Sequence, residues 1–275
     1  RFSQSATCVM VQGLGQNILP QNTRQAAPAL LDGQPLEERL QWYIPPRRLY
    51  SRRELLADRC VNFFGAIVAC IGAPILGWRS FSNSDTAVMQ GSFWVQSLGC
   101  ITMFTCSALY HHWSWDWRCA NWLLSMDHVG ISMMIMGCYA PYMLLFGYVR
   151  TLVFVWVLGS FGIAMEGFKL KRTDLHLSGG GSGEWKVFDI VHVLLYVVMG
   201  WSCLPMVPVV APYLSSLACC GVVGGGVLYT VGIPALASGK LEFHMAVWHS
   251  FVLAGSACFY FVSLLQLSGM PGLSL

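Results

Sequence analysis

Charge is what this sequence has least of: Asp, Glu, Lys and Arg make up 11% of its 275 residues, less than half of the ~25% usual in a soluble globular domain. A water-facing surface for a chain of this size cannot be built from so few ionised groups. Intrinsic disorder is excluded as well, because apolar residues account for 55% of the chain. The net charge of +3 comes with no basic face carrying interleaved aromatics, so no nucleic-acid partner is expected. No CxxC pair occurs, and the eleven cysteines are scattered, mostly inside apolar runs. They read as small buried hydrophobes rather than as a disulfide or zinc-ribbon framework. Walker, GxSxG and HExxH motifs are missing too. The glycines between 221 and 232 lack the following lysine of a phosphate loop. Gly221 and Gly225, four apart, fit close helix packing in lipid instead.

What the chain does have is long apolar runs. A helix needs roughly 20 mainly apolar residues to cross the hydrocarbon core of a bilayer, and seven stretches qualify: 61–78, 88–110, 122–146, 151–168, 187–207, 212–237 and 245–267. The fold expected is all-α, a polytopic bundle of seven transmembrane helices with short polar connections. Three regions are expected: a polar, disordered tail over 1–55 with a basic juxtamembrane end (Arg47, Arg48, Arg52, Arg53), the membrane domain over 56–267, and a short C-terminal tail over 268–275. The longest connection, 169–186, contains Ser178-Gly-Gly-Gly-Ser-Gly183, a flexible linker by composition. Counting Lys and Arg near the span ends puts eleven on one side and two, Arg79 and Arg150, on the other. That asymmetry places the N-terminus in the cytoplasm and the C-terminus outside.

An ionisable group inside a span costs several kcal/mol unless it is paired, hydrated or bound to a metal, so such residues are functional candidates by default. The second span closes on Cys106-Ser-Ala-Leu-Tyr-His-His112, in which Ser107 and His111 are four apart and share a helix face. The third opens with Ser125-Met-Asp-His-Val-Gly130, carrying Asp127, and the seventh with His244-Met-Ala-Val-Trp-His249. With alternating spans, His111, Asp127, His244 and His249 fall at similar depth near the cytoplasmic side. Three helices thus bring imidazole and carboxylate to one layer. Two readings stay open at this point: a buried metal site, for which neutral imidazole suits Zn²⁺ with three protein ligands plus water, and solvated residues at span ends. His112, His128 and His176 read as interfacial or loop residues. His192, one turn after Asp189, reads as half of a structural pair, and Glu166 either reaches the polar boundary or pairs with Lys169 at i+3.

At these residues the chain resembles the haemolysin III family, grouped with the progestin and adipoQ receptors, adiponectin receptors included. The resemblance covers about 52–267. It rests on Ser107-Ala-Leu-Tyr-His111, on Asp127-His-Val-Gly-Ile131 followed by Gly137-Cys-Tyr-Ala-Pro141, and on Met199-Gly-Trp201. It continues through Gly225-Gly-Val-Leu-Tyr-Thr-Val-Gly232 and Trp248-His-Ser-Phe-Val-Leu-Ala-Gly-Ser256. It implies a zinc ion held near the cytoplasmic face by three histidines, with an Asp and a Ser close by. His111 matches the ligand of the second span, Ser107 the serine, Asp127 the carboxylate, and His249 the second of two histidines in the seventh span. The adiponectin-receptor branch spaces that pair as HxxxH, whereas His244 and His249 form HxxxxH. On a 3.6-residue helix the two spacings leave the pair about 40° and about 140° apart respectively. His244 could join one ion only from the frayed start of its helix or an irregular turn.

A zinc ion with an open position makes its water acidic near pH 7. The leading expectation is therefore hydrolysis of a lipid amide or ester, with a ceramide-like substrate by family analogy. His111, His249 and His244 would be the metal ligands, with Asp127 and Ser107 in catalytic roles. Membrane lipids are the expected partners. The rivals are a receptor with structural zinc, a pore or transport protein, and a haem protein. The outer loops offer a large ligand little surface, the outer helix halves show few polar residues, and a cluster at one depth suits a single metal better than haem.

Overall fold

The computed structural model describes residues 50–83, 86–113, 117–175, 183–238 and 241–270. Most of the expected N-terminal tail, His176, nearly all of the Gly/Ser-rich linker and residues 271–275 lie outside the described residues, as do the side chains of Arg118, Lys186 and Asp189. Among the described residues, seven long helices follow one another: α1 (Arg52–Asn83), α2 (Ala87–Trp113), α3 (Trp117–Leu145), α4 (Val149–Leu175), α5 (Gly183–Trp201), α6 (Ser216–Ala237) and α7 (His244–Leu265). Seven spans long and apolar enough to cross a membrane result, the fifth running from Ile190 in α5 on to Tyr213, and the chain is a multi-pass membrane protein with an all-α fold.

The helices are built inside-out relative to a soluble bundle. On α1 the buried positions are polar or small (Glu54, Asp58, Asn62, Gly65, Gly72, Ala73, Gly77 and Ser80, with Leu76). Phe64, Ile67, Ile71 and Trp78 are meanwhile more than half exposed. Lipid solvates the large apolar side chains, and the interior is left to small residues that permit close approach and to polar groups that find partners across helices. Tyrosine hydroxyls recur in that second role. Tyr142 donates to the carbonyl of Phe259 at 3.2 Å, Tyr260 to that of Gly72 at 2.8 Å and Tyr196 to that of His128 at 2.9 Å.

Two boundaries differ instructively from the sequence expectation. The first helix starts nine residues before the apolar run at 61, because Ser51 and Glu54 form a capping box: the Glu54 N–H donates to Ser51 Oγ at 3.2 Å and the Ser51 N–H to Glu54 Oε2 at 2.9 Å. The fifth apolar run, expected to be helical to 207, leaves the α-helix at Trp201 and continues as short turns over Leu204–Met206, Val207–Val210 and Ala211–Tyr213. Pro205, Pro208 and Pro212 each remove a backbone donor there. Tyr139 compensates at the break, donating to the carbonyls of Met199 (2.6 Å) and Gly200 (2.9 Å) and accepting from the Cys203 N–H (3.1 Å).

The tightest seam is α2 against α3. A Cβ placed on Gly99 would lie 2.6 Å from the Met133 carbonyl oxygen, and one on Gly130 would lie 2.8 Å from the Met103 Cα. Both obstacles are backbone and cannot rotate away. The expected α6–α7 packing at Gly221 and Gly225 is also present, where added methyls would meet Val262 and Phe259 at 2.7 Å. Gly99→Ala should therefore destabilise the detergent-solubilised protein by about 1–3 kcal/mol through overpacking. Gly91→Ala, on the same helix with nothing within 4 Å, should be neutral or slightly stabilising. Thermal unfolding of the two variants checks this.

Candidate metal centre

The site begins on α1, where Glu54, Asp58 and Asn62 succeed one another at intervals of four and are all buried. That spacing stacks them on one face, one turn above another. The face meets α2 and α7. His111 lies near the end of α2, and its Nδ1 is 2.6 Å from Asp58 Oδ2. His249 lies near the start of α7, and its Nδ1 is 2.6 Å from Asp58 Oδ1. One carboxylate thus spans two imidazoles, one oxygen to each, with ring centroids 4.7 Å apart and planes inclined by 75°. Asn62 Nδ2 donates to the Asp58 carbonyl at 3.0 Å and lies 3.1 Å from His249 Nδ1. Arg59 Nε donates to the His111 carbonyl at 3.0 Å, pairing a cation with the C-terminal turn of α2.

These three side chains form the one group of metal-capable donors among the described residues, their ligand atoms all within 4.8 Å of one another. Two neighbouring polar atoms test whether a cation fits. His111 Nε2 and Ser107 Oγ are both buried without a hydrogen-bond partner. Whichever nitrogen of His111 carries the proton, the ring keeps an unfilled donor or acceptor in a setting where that costs about 1–3 kcal/mol. A carboxylate oxygen and two imidazole nitrogens are also the donor chemistry of zinc and related divalent ions. The residues fit a metal ion.

Of the residues expected from the sequence, His111 and His249 come together here, and Ser107, fully buried, sits one turn before His111. Asp127 is buried near the start of α3 but is not part of the donor group. His244 is buried too, outside that donor group, with Nε2 3.1 Å from the hydroxyl of Tyr50. It is the first residue of α7, five before His249, a spacing that turns through ~140° on a regular helix. Phe243 precedes it in the left-handed region, φ 58°. The Phe243 N–H donates to Glu54 Oε1 at 3.1 Å, so the capping carboxylate of α1 also holds the turn that starts α7. Asp58 and Asn62 are the residues that sequence reasoning missed. The signal was the fourfold polar spacing 54–58–62, hidden because Glu54 and Asp58 precede the apolar run that begins at 61.

A second polar cluster joins α3, α4 and α5. Glu166, buried on α4, has Oε1 2.8 Å from His128 Nδ1, 3.4 Å from His192 Nε2 and 3.8 Å from Lys169 Nζ. The i+3 pairing with Lys169 is thus present, alongside two histidines. His192 Nε2 also lies 3.3 Å from the Gly162 carbonyl; facing two acceptors, it carries the proton. His128, expected at the interface, keeps a side-chain exposure of 20% while anchoring this cluster.

Similarity to known proteins agrees with this architecture. The profile of the family described as Haemolysin-III related matches residues 60–260. The chain belongs to the haemolysin III family. Its relatives include the "Hemolysin-3 homolog" of Bacillus subtilis (strain 168), 32% identical over 234 residues, which span 82% of this chain and all of that protein. The "Hemolysin-3" of Bacillus cereus is 27% identical over 214 residues, 76% of this chain and 90% of that one. The match to the haemolysin III profile takes in His111, Asp127 and His249, whereas Asp58 lies two residues before it.

Because Glu166 Oε1 is the common partner of three groups, Glu166→Gln should destabilise the protein by roughly 3 kcal/mol. Adding His192→Asn to that variant should cost less than His192→Asn alone. Additive losses in thermal unfolding would show that the cluster is not coupled.

Proposed function

We propose that Asp58, His111 and His249 hold a zinc ion and that this centre hydrolyses an amide or ester bond of a membrane lipid, a ceramide-like molecule being the leading substrate class. The supporting observation is the convergence of one carboxylate and two imidazoles from α1, α2 and α7 beside the partnerless Nε2 of His111. Zinc at such a centre acts as a Lewis acid on a carbonyl and acidifies water near neutral pH.

The chain's own groups divide the remaining work. Asn62 holds the Asp58 carboxylate in place through its backbone and side-chain contacts, which keeps the donors oriented. Asp127 accepts the proton of the attacking water. Ser107, with an uncommitted hydroxyl on the face of His111, supplies a hydrogen bond to the oxygen that gains charge. The eleven-to-two excess of Lys and Arg puts the site on the cytoplasmic side, within reach of a lipid's polar linkage while its chains stay in hydrocarbon. Of the candidate third donors, the geometry favours Asp58 over His244.

A second reading, permeation of the membrane, has one observation in its favour: both amide atoms of Gln96 and the hydroxyls of Ser97, Ser132 and Ser263 are buried without partners inside the bundle. Elemental analysis and function separate the readings. Purified protein should contain about one zinc per chain, lost in Asp58→Ala, His111→Ala and His249→Ala and retained in His244→Ala. Lipid amide or ester hydrolysis in liposomes should disappear with the metal, and Asp127→Asn should abolish hydrolysis while keeping it. Zinc without hydrolysis would overturn the enzymatic reading, and ion flux that persists in the metal-free variants would establish permeation.

A further inference from the structure

On α1, residues seven apart share a face, offset by only about 20°, so Arg53 stands directly below Cys60 toward the N-terminal end of the helix, roughly 10 Å away along the axis. Above it a groove opens between α1 and α7, lined by Cys60, Val61 and Phe64 on one side and by Ser250, Ala254 and Ala257 on the other, with a volume of about 460 Å³. The α7 wall is formed largely by small side chains and extends over about 10 Å of helix. The groove's surroundings, among them Leu56 and Phe64, are strongly exposed, as expected of a surface in contact with hydrocarbon. Arg52 and Arg53 are exposed at its lower end, and neither forms a hydrogen bond or ion pair with another described residue. Arg59, by contrast, is committed to the His111 carbonyl.

We propose that the α1–α7 seam is a binding site for one anionic phospholipid, its phosphate on Arg53 and one acyl chain in the groove above. Three features select this occupant. The groove lies within two apolar spans, where a hydrocarbon chain is the available ligand. Its lower end carries the exposed Arg53 guanidinium, without a partner among the described residues, at the height of the headgroups, and guanidinium binds phosphate through two parallel hydrogen bonds. That end of the bundle is also the one rich in Lys and Arg, the side on which anionic lipid is concentrated. The bound lipid would brace α1 against α7 where Cys60 and Ser250 stand within two residues of Asp58 and His249. The site is independent of the metal reading, since no donor of the metal group lines it.

Native mass spectrometry of protein released from nanodiscs tests the proposal, with phosphatidylglycerol and phosphatidylcholine of identical acyl chains as probes. Wild-type protein should keep one phosphatidylglycerol through stepwise delipidation, with about fivefold preference over phosphatidylcholine, the factor expected for one Arg near an anionic surface. Arg53→Gln, a surface change that leaves the bundle intact, should erase the headgroup preference while still retaining lipid. Ala254→Phe, which fills the groove, should lose retention of both, and Ala254→Leu should weaken it. A cooperative thermal unfolding transition in each variant checks that it is folded, and added phosphatidylglycerol should raise the midpoint most in wild-type protein. Equal retention of the two lipids by wild-type protein, a phosphatidylglycerol preference that survives in Arg53→Gln, or retention unchanged in Ala254→Phe overturns the proposal.

Discussion

The arrangement depends on the Asp58 carboxylate. A bare carboxylate has no stable place inside a bilayer, and Asp58 is accommodated because two imidazoles, from helices far apart in the chain, meet its two oxygens at 2.6 Å each. The converse also holds: neither histidine would rest comfortably in that interior without an anion between them. One helix therefore supplies the anion that the other two lack, and each of those supplies an imidazole partner for it. The packing of α1 against α2 and α7 is specified by this polar requirement more than by apolar contact, since lipid solvates leucine as well as another helix does.

Beyond that knot the bundle follows the same logic with other chemistry. Glu166 performs for α3, α4 and α5 what Asp58 does for α1, α2 and α7, so two carboxylates, each with a pair of histidines, tie together two different sets of three helices. The tyrosine hydroxyls reach across to backbone carbonyls of neighbouring helices, and Tyr139 serves the backbone at the break beyond Met199. Gly99 and Gly130 let α2 and α3 approach until backbone touches backbone. Polar pairing sets which helices are neighbours; small residues set how near they come.

Much of this could be read from the amino acids. Apolar length alone reveals seven spans, because few charges interrupt them, and alternation of spans places His111 and His249 in one layer. The HxxxxH spacing turns the two histidines of α7 about 140° apart on a regular helix, and His244 lies outside the donor group that contains His249. Asp58 escaped for a physical reason: hydropathy marks where lipid begins, at residue 61, whereas the helix begins at its capping box, at Arg52, and the intervening polar turns resemble a tail. Glu166 posed the opposite difficulty. Its neighbour at i+3 is visible in the sequence, but His128 and His192 lie 38 and 26 positions distant, and only the folding of α3, α4 and α5 against one another brings them to a single oxygen. The break at Trp201 was likewise masked, since Pro205, Pro208 and Pro212 sit inside a run whose apolar character never lapses.

The pairing of Asp58 with His249 bridges 191 positions of sequence, and the contact between Glu54 and Phe243 bridges 189. A ribosome delivers these segments in order, so the first helix reaches the bilayer long before the seventh exists. Throughout that interval the acidic face of α1 has at most His111 for company. Completion of the donor group is thus a late event in biogenesis, and a chain truncated before α7 keeps Asp58 with at most one of its two imidazole partners.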